Sequence, residues 1–183
     1  MPDETARRHL FVVIDRATRW VFIRLYRDQS EASANDCLRR LVRATAMSIV
    51  KILTDNGSQF TDRFTAKDKR PTGQHVFDKT CAEFVIEHRL APPRHPQTNR
   101  MVGRINGRVG EVIQQTRFAS AHELGASLTH YVNTYNHPIL QRSLNHISPV
   151  QALKKSQPDK PLVFVKRPCN RARHATKFVH ASL

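Results

Sequence analysis

Ten residues constrain this chain more than any others: Lys51-Ile-Leu-Thr-Asp-Asn-Gly-Ser-Gln-Phe60. Val50, Ile52 and Leu53 are β-formers of the kind that fill a buried strand, and Asp55-Asn56-Gly57 is a turn signal. The stretch delivers one carboxylate, Asp55, to the lip of a turn. From the C-terminal edge of a sheet a carboxylate can point into a cleft and hold a divalent metal. It can equally serve the turn, since an Asp side chain hydrogen-bonds backbone two residues on. The ten residues alone leave both roles open.

The surrounding chain reads as an α/β plan. Leu10–Ile14 and Trp20–Tyr26 predict two strands, and Asp15-Arg-Ala-Thr-Arg19 is a link short enough for an antiparallel hairpin. Ser30 is an N-cap for a helix to about Ala46, with Ala34, Leu38, Leu41, Val42 and Thr45 as its buried stripe. The strand bearing Asp55 follows, so the order is β-β-α-β with a mixed sheet. Residues 62–75 are charged and read as an exposed loop. A second helix over Phe77–Phe84 packs Phe77, Cys81 and Phe84, and a short strand over Ile86–Leu90 is stopped by Pro92 and Pro93.

Pro93–Asn99 reads as a loop ending in capping residues. A third helix then starts, with Met101, Ile105, Val109, Val112 and Ile113 inward. A fourth, over His122–Tyr135, uses Leu124, Leu128, Tyr131, Val132 and Tyr135. A last turn, Val150–Leu153, closes the globular part.

Charge speaks to partners rather than fold. Thirty Lys and Arg against 15 Asp and Glu give a net charge of +15, which favours a polyanion and most often nucleic acid. No acidic residue occurs from Lys160 to Leu183. Residues 1–161 therefore read as the core domain, and 162–183 as a basic tail that is either a solvated terminus or a phosphate-contacting arm. Cys37, Cys81 and Cys169 have neither metal spacing nor a disulfide pattern, which suits a reducing cytoplasm. No apolar run approaches the ~20 residues of a membrane span, and the N-terminus does not look like a signal peptide. Scattered histidines such as His88, His95 and His137 fit surface or hydrogen-bonded structural roles.

Five motifs occur in one order: Ile14-Asp-Arg-Ala-Thr-Arg-Trp20, Leu53–Phe60, His95-Pro-Gln-Thr-Asn99, Arg104-Ile-Asn-Gly107 and Tyr135-Asn-His137. Together they resemble the catalytic core of the DDE insertion-sequence transposases, relatives of retroviral integrase. The resemblance runs over residues 1–161. It implies a ribonuclease H-like fold, two Mg²⁺ (or Mn²⁺) ions held by two aspartates and a glutamate, and cleavage and strand transfer of DNA. Two hard cations about 3.5–4 Å apart clamp the attacking and leaving oxygens of a phosphodiester, and carboxylates from separate elements hold them. In this resemblance Asp55 is the second aspartate, a catalytic and metal ligand. Arg94, His95, Gln97, Asn99 and Arg104 flank the site as expected DNA contacts.

The departures from the pattern matter as much. The family segment usually reads Asn-Gly-Met-Val-Glu-Arg; here it is Asn99-Arg-Met-Val-Gly-Arg104, which puts Gly103 where the glutamate belongs. Glu111 lies eight residues on, roughly 12 Å further and about 80° around the helix. The first aspartate belongs to a strand earlier than Leu10–Ile14, so the chain is expected to start after it, with Asp15 as a lesser candidate. That strand sits centrally in the family sheet, so the hairpin and the Asp55 strand should each show an unpaired edge. Val85 stands where the family favours a glycine to end the second helix. The expectation is a degenerate core without strand-transfer activity. Non-catalytic DNA binding, inhibition through mixed oligomers with full-length transposase, and a relic without function are the rivals.

Overall fold

The computed structural model describes residues 7–66, 68, 70–92, 96–166 and 168, with only the backbone of 96–99. Its elements are β1 (His9–Ile14), β2 (Val21–Tyr26), α1 (Glu31–Ala44), β3 (Lys51–Thr54), α2 (Val76–Glu83), β4 (Glu87–Leu90), α3 (Pro96–Gln115), α4 (Ala121–Asn136) and α5 (Pro149–Asp159). The expected β-β-α-β order is present.

β1 and β2 form the antiparallel hairpin, in register from His9 opposite Tyr26 to Ile14 opposite Val21. Successive strand residues point to opposite faces, and here both faces are covered. Phe11, Val13, Trp20, Phe22 and Tyr26 join Ala34, Cys37, Leu38 and Leu41 of α1 and Phe77 and Cys81 of α2 in one core. Leu10, Val12, Ile14, Val21, Ile23 and Leu25 join Ile105 and Val109 of α3 and Leu124, Leu128 and Tyr135 of α4 in a second. That two-sided burial explains the nearly unbroken apolar runs of the hairpin.

The helices begin where their caps say. Ser30 accepts from Ser33 N–H at the start of α1, and Ser120 from Glu123 N–H at the start of α4. Asn136, the last residue of α4, is buried and ties that helix to the sheet. Its side chain accepts from Val21 N–H at 2.8 Å and donates to Val21 C=O at 2.7 Å.

β3 and β4 pair in parallel, Lys51 opposite Glu87 through Thr54 opposite Leu90. Among the described residues no strand joins this pair to the hairpin. The mixed sheet is thus present as an antiparallel half and a parallel half, and β1 and β3 each keep an edge that no described strand pairs. Only one face of the second pair is covered. Ile52 and Thr54 turn inward, whereas Val50 is 61% and Leu53 41% exposed, so the expectation of a fully buried strand is corrected.

Other boundaries also moved. α3 starts at Pro96 rather than after Asn99, because proline at a first helical position has its φ preset and lacks only an N–H that would be unpaired there anyway. Ile113, expected inward, is 38% exposed at the far end of that helix. The closing turn at 150–153 is an 11-residue helix, α5, started by a capping box in which Ser148 and Gln151 bond each other's backbone N–H. The first residues after 161 make contacts with the body of the chain. Phe164 bridges to Met47, Val165 N–H donates to Ala46 C=O at 3.0 Å, and Lys166 Nζ reaches Arg43 C=O at 2.6 Å. Residues 162–166 therefore pack on the connection from α1 to β3.

Candidate active site and nucleic-acid interface

Asp55 leaves the C-terminal end of β3 exposed, as the sequence predicts. Its Oδ1 accepts from Gly57 N–H at 2.9 Å, so the carboxylate serves the turn as well as facing solvent. Asn56 fastens the same turn to the end of β4, donating to Ala91 C=O at 2.9 Å, while Arg63 donates to Asn56 Oδ1 at 3.2 Å. Ala91 N–H in turn donates to Thr54 C=O at 2.8 Å. Four hydrogen bonds thus fix where β3 ends and where Asp55 points.

Beneath this turn lies an arrangement that sequence reading missed. Thr54 Oγ1 is 2.8 Å from His88 Nε2, and His88 Nδ1 is 2.5 Å from Asp78 Oδ1. Phe77 packs edge-on against the imidazole. The order of groups looks like the relay of a hydrolase, but Thr54 is only 8% exposed, which denies its hydroxyl to a substrate. The chain instead satisfies three inward polar groups and locks β3, β4 and α2 together under Asp55. The signal was faint, because Asp78 is ten residues from His88 and the contact exists only once α2 folds back over the strands.

Gly103 lies on the exposed side of α3, and a Cβ there would meet nothing within 4 Å. The position has room for a side chain and offers no ligand. Asp15 is spoken for: its Oδ2 accepts from Thr18 N–H at 2.7 Å and Thr18 Oγ1 at 2.6 Å, closing the hairpin turn. Glu111 acts electrostatically on Tyr131 of α4. Among the described residues no three His, Cys, Asp or Glu side chains come together as a metal site. A two-metal centre needs several oxygen ligands from separate elements. Among the described residues Asp55 has no such partners, so they do not fit such a centre.

Of the expected DNA contacts, Arg94 and His95 lie outside the described residues. Gln97 and Asn99 fall in the first turn of α3, not in a loop. Arg104 is exposed on α3 and lines a cavity of about 110 Å³ with Arg19 of the hairpin turn and Arg108. Arg19 takes a left-handed backbone, φ 62°, held by its N–H to Asp15 C=O at 2.9 Å, and its guanidinium reaches Met101 Sδ on α3. Tyr135 lines the same cavity. Burial pushes its hydroxyl pKa up, against the opposing pull of Arg108, so it stays a proton donor.

With fold and site described, kinship can be stated. One integrase core domain profile matches residues 1–96 and a second matches residues 85–149. The chain belongs to the integrase core domain family. It is 25% identical over 150 residues to "Putative integrase ORF3" of Spiroplasma virus SpV1-C74, an alignment covering 79% of this chain and 41% of that protein. It thus spans less than half the length of that relative. Among solved structures it is similar to the catalytic core domain of BIV integrase, at TM-score 0.61 and 15% identity over 83% of this chain and 89% of that one. It also matches a chain of the simian T-cell lymphotropic virus intasome in complex with PP2A regulatory subunit B56 gamma. That match has TM-score 0.54 and 18% identity, over 72% of this chain and 43% of the other. These likenesses establish the ribonuclease H-like integrase-core fold expected from the five motifs.

Proposed function

We propose that this chain is an integrase-core module of the transposition class that binds DNA but does not itself cut or join it. The observation that carries the reading is the isolation of Asp55: Gly103 stands open at the glutamate position, and Asp15 is committed to the hairpin turn. With no second described ligand within the site, Mg²⁺ or Mn²⁺ has too few oxygens to be held as a catalytic pair. DNA is the proposed partner because the charge of +15 survives the loss of the ligands, and Arg19, Arg104 and Arg108 gather on one side of α3. Full-length transposase, or a second copy, is a further proposed partner, and the bacterial cytoplasm and nucleoid the proposed location. Among the described residues no helix is long and apolar enough to cross a membrane.

Two assays test this. Duplex DNA followed by fluorescence anisotropy should bind with an affinity that falls steeply between about 50 and 200 mM salt, as phosphate contacts demand. A strand-transfer assay with Mg²⁺ or Mn²⁺ should yield no joined product. Metal-dependent joining of transposon ends by the purified chain would overturn the inactive reading, and binding indifferent to salt would overturn the DNA reading.

A further inference from the structure

The cavity beside α3 is lined by apolar Ile14 of the hairpin and Met101 and Ile105 of α3, and otherwise by side chains that can donate. Arg19, Arg104 and Arg108 supply guanidinium N–H groups, and Tyr135 and Ser143 supply hydroxyls. Gln141 contributes Nε2, which is buried and has no hydrogen-bond partner among the described residues. Among the described residues no carboxylate lines the cavity. The nearest candidate in sequence, Asp15, has its Oδ2 taken up by Thr18.

Three arginines thus line one cavity, and a buried amide N–H there lacks the acceptor that nearly all such groups find. The backbone is arranged to hold it so. Arg19 sits in the left-handed region, and the segment that carries Gln141 is pinned by Gln141 N–H to Ile147 C=O at 3.0 Å and His146 N–H to Gln141 C=O at 3.1 Å. Asn145 and His146 within it are also left-handed, with φ 56° and 59°. A cavity of about 110 Å³ has room for one tetrahedral oxyanion.

We propose that the cavity bounded by Arg19, Arg104, Arg108, Tyr135, Gln141 and Ser143 is a phosphate-binding site that seats one backbone phosphate of bound DNA. The two non-bridging oxygens of a phosphodiester accept from the guanidinium N–H groups of the arginines and from Gln141 Nε2. None of the lining residues belongs to β3, β4 or the Asp55 turn. The choice of DNA as the source of the phosphate rests on the DNA-binding reading above; the anion site itself does not.

The test uses the whole chain, Arg108→Gln and the near-isosteric Gln141→Glu, each checked for an unchanged circular-dichroism spectrum. Inorganic phosphate is titrated against amide chemical shifts at constant ionic strength, with chloride as control. In the parent chain, saturable shifts should centre on residues 19, 104, 108 and 141, and each variant should lower phosphate affinity by roughly tenfold or more. Shifts spread over the surface, or equal affinity in both folded variants, would overturn the anion site. With duplex DNA, Arg108→Gln should reduce the slope of log affinity against log salt by about 1. An unchanged slope, with phosphate binding lost, would overturn DNA as the source and leave a site for free phosphate. Phosphate binding without any DNA binding would defeat the DNA reading while supporting the anion site.

Discussion

Two residues show how much depends on single backbone positions. Val85 ends α2 at φ 56°, with Ile86 N–H donating to Cys81 C=O at 2.9 Å in the pattern of a Schellman cap. Glycine is the usual occupant, and a β-branched residue there crowds its own backbone. The Val85 side chain is 88% exposed and returns little for that strain. Val85→Gly is therefore expected to stabilise the chain by about 1 kcal/mol, a rise of ~2–4 °C in Tm by thermal unfolding; a fall would mean the cap is not strained. Asn136 is the opposite case. Removing its amide leaves the N–H and C=O of buried Val21 unpaired, so Asn136→Ala should cost about 2–4 kcal/mol in urea unfolding. A loss under ~1 kcal/mol would show that water replaces both bonds.

At the scale of elements, α3 carries a sequence that weakens it. Gly103, Gly107 and Gly110 lie within one helix, and glycine costs about 1 kcal/mol relative to alanine at an interior position. The helix persists because Ile105 and Val109 are buried against β1, β2 and α4. Since a Cβ at 103 meets nothing, Gly103→Ala and Gly103→Glu should both stabilise by roughly 0.5–1 kcal/mol. Mg²⁺ should raise the midpoint of neither, because the glutamate would bring a second carboxylate to a site that has one. A Mg²⁺-dependent rise confined to Gly103→Glu would show a centre closer to intact than the geometry indicates.

The whole molecule rests on two cores on either side of the hairpin. Cys37 and Cys81 lie in the one shared by α1 and α2, and burial pushes both thiols up to about 12. In the unfolded chain a thiol ionises near ~8.5. The folded-state value is the higher, so this stability is fully present below about pH 8.5 and is lost as pH rises toward 12. Urea midpoints should fall across that window, and Cys37→Ser with Cys81→Ser should flatten the fall. A slope unchanged in the double variant would place the alkaline loss elsewhere. Native thiols at 37 and 81 should resist alkylation until the chain unfolds, as read by peptide mass spectrometry.

The sequence by itself determined the order of elements, the hairpin, the helix caps at Ser30 and the inward stripes of α1 and α4, because these follow from periodicity and local hydrogen bonding. It also placed Asp55 at the mouth of a turn, carried by a short contiguous motif. Tertiary structure alone decided that β3 is covered on one face, that the two strand pairs stay apart among the described residues, and that Thr54, His88 and Asp78 lock together under Asp55. It also brought Arg19 and Gln141 to Arg104 and Arg108. Those groups are separated by up to 122 residues in sequence, and no local pattern encodes a meeting made only when hairpin, α3 and the segment after α4 pack around a common core.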